Sequence, residues 1–274
     1  MQIRDYSLPA GWFPRDADSV SQFLSEFKAK KSSCRCAVSP HAGWYYSGRT
    51  AALGVSSLGG ADTVVVLGGH LASSSAPLFA MEDAVRTPFG SMPINQELRT
   101  ALMDEIDGEE DIYRDNTVEV LLPMVHYFFP SAKLLWLRLP ADIDSYNSGK
   151  ILARTASKLN CKINVLGSTD LTHYGSNYGF SPKGRGEAAL KWVREVNDAA
   201  FIKAVESRDA EEVLRRAEHD FSSCSPGAVI GAMGFADEEG LGSAQLLKYA
   251  TSADADDSGH TPDSFVGYAA FAFT

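Results

Sequence analysis

The run Thr63-Val64-Val65-Val66-Leu67 constrains the fold most. It is β-branched and apolar on both faces, which a strand with one wet face does not tolerate. Such a strand belongs at the centre of a mainly parallel or mixed sheet covered by helices on both sides. It ends in Gly68-Gly69-His70, and a related arrangement occurs twice more. Cys34, Cys36 and Val38 alternate on one face of a strand that Pro40 stops, which puts His41 just past its carboxyl end. A strand over Lys162–Leu166 runs into Gly167-Ser168-Thr169-Asp170-Leu171-Thr172-His173. In open α/β sheets, ligands bind in the crevice outside the carboxyl ends of strands. Three such ends therefore deliver His41, His70, Asp170 and His173 to one rim.

The rest of the chain alternates accordingly. A helix capped by Asp18 or Ser19 carries Val20, Phe23, Leu24 and Phe27 on one face. A helix of small residues spans Arg49–Leu58, and Trp44, Tyr45 and Tyr46 before it are aromatic walls for the loop. Leu71–Asn95 has the turn chemistry of a long excursion. Glu97–Ile106 is amphipathic, and a helical pattern over Asn116–Phe129 bends or restarts at Pro123. Strand Lys133–Leu139, helix Ser148–Leu159, a long helix Arg185–Glu206 and a shorter one over Ala210–Glu218 follow. Cys224-Ser225-Pro226 opens a helix through Ala236, with the proline suited to its first turn. Strands Ala244–Tyr249 and Phe265–Phe273 finish the chain around an acidic surface loop, Ala253–Asp263. Without repeat or linker, residues 1–274 read as a single α/β domain.

Charge and composition exclude some partners. The formal net charge of −10 argues against nucleic acid, which needs clustered Lys and Arg. No apolar run approaches a membrane span, and Met1–Pro9 lacks the pattern of a signal peptide. Four cysteines in 274 residues do not make a disulfide framework and suit a reducing compartment, so the expected location is cytoplasmic.

Two imidazoles with a third anionic ligand and open positions make a catalytic metal set. Cys224, before a helix start, has a local reason to be a thiolate, because the helix dipole favours the anion. Its competing role is that of a small buried apolar side chain. Asp170 and His173 have the chemistry of a general acid–base pair, or of a capping aspartate with a loop histidine. Cys34 and Cys36 read as core packing, and Cys161 as structural. His126 and His219 lie on helices, at the surface or its boundary, and His260 lies in the acidic loop.

Pro40-His41-Ala42-Gly43-Trp44-Tyr45-Tyr46-Ser47-Gly48 resembles the Pro-His-Ala-Gly-aromatic signature of the Memo-like family. That family includes the eukaryotic cell-motility mediator Memo and the prokaryotic AmmeMemoRadiSam system protein B. The resemblance runs nearly end to end. Gly11-Trp12-Phe13-Pro14, Leu67-Gly68-Gly69-His70, Arg86-Thr87-Pro88-Phe89-Gly90, Ser168–Gly175, Cys224 before its Pro- and Gly-containing helix start, and Val266-Gly267-Tyr268-Ala269-Ala270 each resemble a family motif. Asp115-Asn116-Thr117-Val118-Glu119 departs from the usual Glu-His-Ser-x-Glu: Asn116 replaces a histidine and cannot titrate, while Glu119 is kept.

The resemblance implies a fold shared with class III extradiol dioxygenases, which use non-haem iron. It implies one transition metal ion, iron or copper ahead of zinc, on His41, His70 and Cys224, with Asp170 and His173 beside it in the same pocket. It further implies a metal-dependent redox enzyme acting on a small molecule in the crevice. The alternative is a non-catalytic metal- or peptide-binding accessory protein working with radical-SAM and AMMECR-type partners. A third reading makes Cys224 a nucleophile with His173 as base and Asp170 as orienter.

Overall fold

The computed structural model describes residues 1–27, 34–255 and 260–274. Its elements, in chain order, are β1 (Ile3–Arg4), α1 (Ala17–Leu24), β2 (Cys36–Ser39), α2 (Trp44–Ser57), β3 (Thr63–Gly68), β4 (Leu78–Phe79), β5 (Ala84–Thr87), β6 (Gly90–Pro93), α3 (Gln96–Met103), β7 (Glu109–Glu110), α4 (Asn116–Glu119), α5 (Leu122–Phe128), β8 (Lys133–Arg138), α6 (Asp144–Lys158), β9 (Ile163–Ser168), β10 (His173–Gly175), α7 (Glu187–Trp192), α8 (Asp198–Glu206), α9 (Ala210–Asp220), α10 (Pro226–Glu238), β11 (Ala244–Thr251) and β12 (Ser264–Phe273).

The main sheet is mixed, as expected. Its strand order is β10-β12-β2-β9-β3-β8-β4-β7, with β11 paired to β12. The four inner strands β2, β9, β3 and β8 are parallel, so their carboxyl ends lie on one edge. β3 is buried along its whole length, which is what its two-sided apolar sequence requires. β12 runs antiparallel to β2 and β11. A small second sheet, β1-β5-β6, accounts for part of the excursion after Leu71.

Helix α10 is buried from Pro226 to Ala236 and lies against α6. The approach is so close that a Cβ on Gly149 would sit 1.9 Å from the Gly231 carbonyl oxygen. This packing fixes the start of α10, and therefore Cys224, over the carboxyl edge of the sheet.

Several boundaries differ from those read in the sequence. Helix α2 begins at Trp44 rather than Arg49, so Trp44 is no wall of the site. Its ring is buried and its Nε1–H donates to the Val120 carbonyl at 3.0 Å. The helix expected over Arg185–Glu206 is interrupted by a π-turn at Val193–Asn197. The restart near Pro123 falls at Val120-Leu121, with the proline in the first turn of α5. Helix α1 ends at Leu24, before Phe27. Of the acidic loop, Ser252–Ala255 forms a 3-10 turn, and residues 256–259 lie outside the described residues. No helix among the described residues is long and apolar enough to cross a membrane.

Candidate metal centre

His41 leaves β2 two residues after its last strand position, and its side chain is fully buried. Its Nδ1 lies 2.8 Å from Ser168 Oγ at the end of β9. That contact leaves Nε2 directed at Cys224 Sγ, 3.3 Å away.

His70 ends the turn after β3 and adopts φ +61°, in the left-handed region that non-glycine residues avoid. Gly69 makes this turn feasible, because a Cβ there would sit 2.4 Å from Ser225 Cβ. The glycine thereby lets the end of β3 touch the start of α10. His70 Nδ1 lies 3.4 Å from Asp115 Oδ2, which leaves Nε2 as its nitrogen for a ligand. The His41 and His70 rings meet edge to face, with centroids 5.1 Å apart.

One ligand atom from each of His41, His70 and Cys224 falls within 4.8 Å of the other two. Around a tetrahedral ion with N and S ligands at 2.0–2.3 Å, neighbouring donors stand about 3.6 Å apart. The 3.3 Å contact of His41 with Cys224 is of that order. Each imidazole is also held through its other nitrogen, as metal-bound histidines almost always are. The donor set and its support therefore fit a single transition metal ion.

Electrostatics separate the two histidines. Burial, with the neighbouring His70, holds His41 well below its ordinary pKa. Burial also works against a charged His70, but its hydrogen bonds to Asp115 and Cys224 outweigh that and push it up to about 10. Asp115 stays well below the usual carboxylate range: burial opposes this, and His70 and Arg138 overcome it. Arg138, the last residue of β8, is itself almost fully buried and binds Asp111, Asp115 and Thr117.

Asp170 and His173 line one cleft of ≈830 Å³ beside the triad, together with Trp12, Tyr45, Tyr46, Asn116, Tyr178 and Tyr268. Asp170 Oδ1 accepts the His41 N–H at 2.7 Å. Burial nevertheless pushes the Asp170 carboxyl up to about 7. Burial, with the charge of His70, holds His173 down to about 4, so its imidazole is neutral at pH 7. Asn116 donates its side-chain N–H to the His41 carbonyl at 3.0 Å. Glu119 is turned away from the cleft and binds the N-terminal segment through Ser7, Leu8 and Arg15.

The nucleophile arrangement of Cys224 with His173 and Asp170 is not assembled. Cys224 faces His41, and among the described residues His173 makes no hydrogen bond to either partner. Cys34 and Cys36 are buried as core packing, and Cys161 and Cys224 are partly buried. His126 is half-buried, with Nδ1 2.6 Å from Thr87 Oγ1.

Sequence reasoning did not assign roles to Ser168, Asp115 or Arg138. Arg138 was the legible one, since an arginine closing the apolar run Leu134-Leu135-Trp136-Leu137 needs a buried carboxylate partner.

A model of the Memo family, described as Memo-like protein, matches residues 4–272. The chain belongs to the Memo-like family. A MEMO1 family protein of Methanococcoides burtonii is 32% identical over 241 residues, 85% of this chain and 84% of that protein. A MEMO1 family protein of Methanococcus maripaludis strain C6 is 30% identical over 232 residues, 79% of this chain and 77% of its own length. Among solved structures, uncharacterized protein JW3007 from Escherichia coli K12 aligns with a TM-score of 0.46 at 13% identity, covering 86% of this chain and 99% of that one. For this Memo-like chain, the family resemblance of the strand-end motifs is therefore borne out.

Proposed function

We propose that this Memo-like protein is a metal-dependent redox protein, with one transition metal ion on His41, His70 and Cys224 and a small-molecule substrate in the adjoining cleft. The observation that carries the reading is the convergence of the three ligand atoms within 4.8 Å, behind Asp170, which touches His41 and Cys224 and lines a cleft together with His173. An ion bound there supplies Lewis-acid and electron-transfer chemistry.

The chain's own residues divide the remaining work. Ser168 and Asp115 hold the imidazoles by their Nδ1 atoms, so that the other nitrogens face inward. The Asp170 N–H donates to Cys224 Sγ at 3.3 Å and moderates the charge on the sulfur. The Asp170 carboxyl stands at the cleft wall, placed to give or take a proton. The His173 imidazole lines the same cleft, placed to exchange a proton with a ligand hydroxyl. Tyr45, Tyr46 and Tyr178 line the same cleft. Cys36, Cys161 and Cys224, outside any disulfide, support a reducing, cytoplasmic setting.

The test is loading with Co(II) or Cu(II), followed by a panel of aromatic diols and quinones. The expected results are a thiolate-to-metal charge-transfer band that disappears in Cys224→Ser, and turnover of at least one compound. A band without turnover selects the non-catalytic accessory reading. No band at all overturns the thiolate ligand.

A further inference from the structure

We propose that the cleft beside the triad selects a small organic cation, an amine or quaternary ammonium compound, over anions of the same size. This deepens the functional reading above by naming the ligand class of the same cleft.

Aromatic rings dominate the wall: Trp12, Tyr45, Tyr46, Tyr178 and Tyr268. Among the described lining residues there is no Lys or Arg, and the one carboxylate is Asp170. Tyr178 and Tyr268 lie close enough to Asp170 to interact with it electrostatically, and Tyr46 lies as close to both tyrosines. Aromatic faces carry negative potential, and an ammonium group over them is attracted all the more when desolvated. A carboxylate or phosphate entering the metal-free cleft would instead lose water and meet no lysine or arginine among the described lining residues, while the His70 charge is already paired with Asp115.

Two features nearby could have favoured an anion, and both are largely engaged. The start of α2 faces the cleft through Ala42 and Gly43, but three of its backbone donors are taken within the protein. The Trp44 N–H donates to the Trp12 carbonyl at 2.8 Å, and the Tyr46 and Ser47 N–H groups donate to the Gly43 carbonyl. The arginines that reach the rim segments are paired, Arg194 with Asp254 at 2.7 Å and Arg185 with Asp263 at 3.1 Å.

The experiment is calorimetric titration of the protein as purified, and again after chelation, with three matched phenols. Tyramine carries the ammonium, para-ethylphenol is neutral, and para-hydroxyphenylacetate carries the carboxylate. Tyramine is expected to bind about tenfold more tightly than para-ethylphenol after chelation, with the acid weakest in that state. Tyr46→Leu and Tyr178→Leu alter side chains that are 52% and 47% exposed, so the fold is retained. Together they should lower tyramine binding more than para-ethylphenol binding and so erase the tyramine advantage. Acid binding equal to or tighter than amine binding after chelation overturns the inference. So does an absence of tyramine binding in the millimolar range, or an equal loss for all three phenols in the variants. Metal content measured on the same preparations keeps the two readings apart. Amine preference without metal overturns only the metal centre, and metal without amine preference overturns only the cation cleft.

Discussion

Cys224 and Asp170 hold each other by two reciprocal contacts. The Asp170 N–H donates to Cys224 Sγ at 3.3 Å, and the Cys224 N–H donates to the Asp170 carbonyl at 3.2 Å. The loop after β9 is thus clipped to the segment before α10, fixing the sulfur opposite His41. A cysteine buried merely as a small apolar side chain would not need this arrangement.

The support behind His70 should be measurable without touching a ligand. Asp115→Asn keeps the size of the side chain but removes the charge facing His70 Nδ1. Outer partners of this kind are worth about 10–100-fold in metal affinity. Competition with a chromogenic chelator should show a loss in that range, and unchanged affinity would mean that Asp115 serves Arg138 alone.

His70 holds a left-handed backbone, at φ +61°, that glycine adopts without penalty. In the presence of chelator, His70→Gly should be more stable than His70→Ala by about 1 kcal/mol. Denaturant midpoints at equal m-value check this. An alanine variant as stable as the glycine variant would show that the turn relaxes.

A second buried carboxylate controls stability against pH. Asp198 accepts from the Thr172 N–H at 3.1 Å and from Tyr249 Oη–H at 2.7 Å, and so braces the loop between Asp170 and His173. Burial pushes its carboxyl up from 3.8 to about 6, despite those hydrogen bonds. The folded state therefore holds the proton more tightly than the unfolded chain, and unfolding releases it between these two values. Stability should fall as pH rises through that window, by at most about 3 kcal/mol. Asp198→Asn should remove this slope from the difference between the two proteins. Parallel stability profiles for both would contradict the assignment.

Ring cleavage by ordinary extradiol chemistry should be weak or absent. That reaction uses two histidines and a carboxylate with open positions. Here the third group is Cys224, a softer and more oxidisable donor. Catechol and protocatechuate should remain uncleaved by iron-loaded protein prepared anaerobically. Any gain should appear first in Cys224→Glu. Robust cleavage by the unmodified protein would mean that the cysteine has been misjudged.

Much of this was legible in the sequence where one physical rule dominated. The two-sided apolar run of β3 demanded a central strand, and Gly68-Gly69-His70 marked its functional end. The start of α2 was not legible, because Trp44 counts equally well as a loop aromatic or as the first turn of a buried helix. The π-turn at Val193–Asn197 keeps a helical hydrophobic pattern on either side, so periodicity alone does not reveal it. The roles of Ser168 and Asp115 depend on which strands end side by side. β9 lies between β2 and β3, and that neighbour relation is absent from the order of residues.

The most direct test is elemental analysis of protein purified with neither added metal nor chelator. The expected result is close to one transition metal ion per chain, reduced at least tenfold in Cys224→Ala and in His41→Ala variants that retain the fold. Metal-free wild-type protein, or folded variants that hold as much metal as the wild type, would contradict the His41, His70 and Cys224 centre.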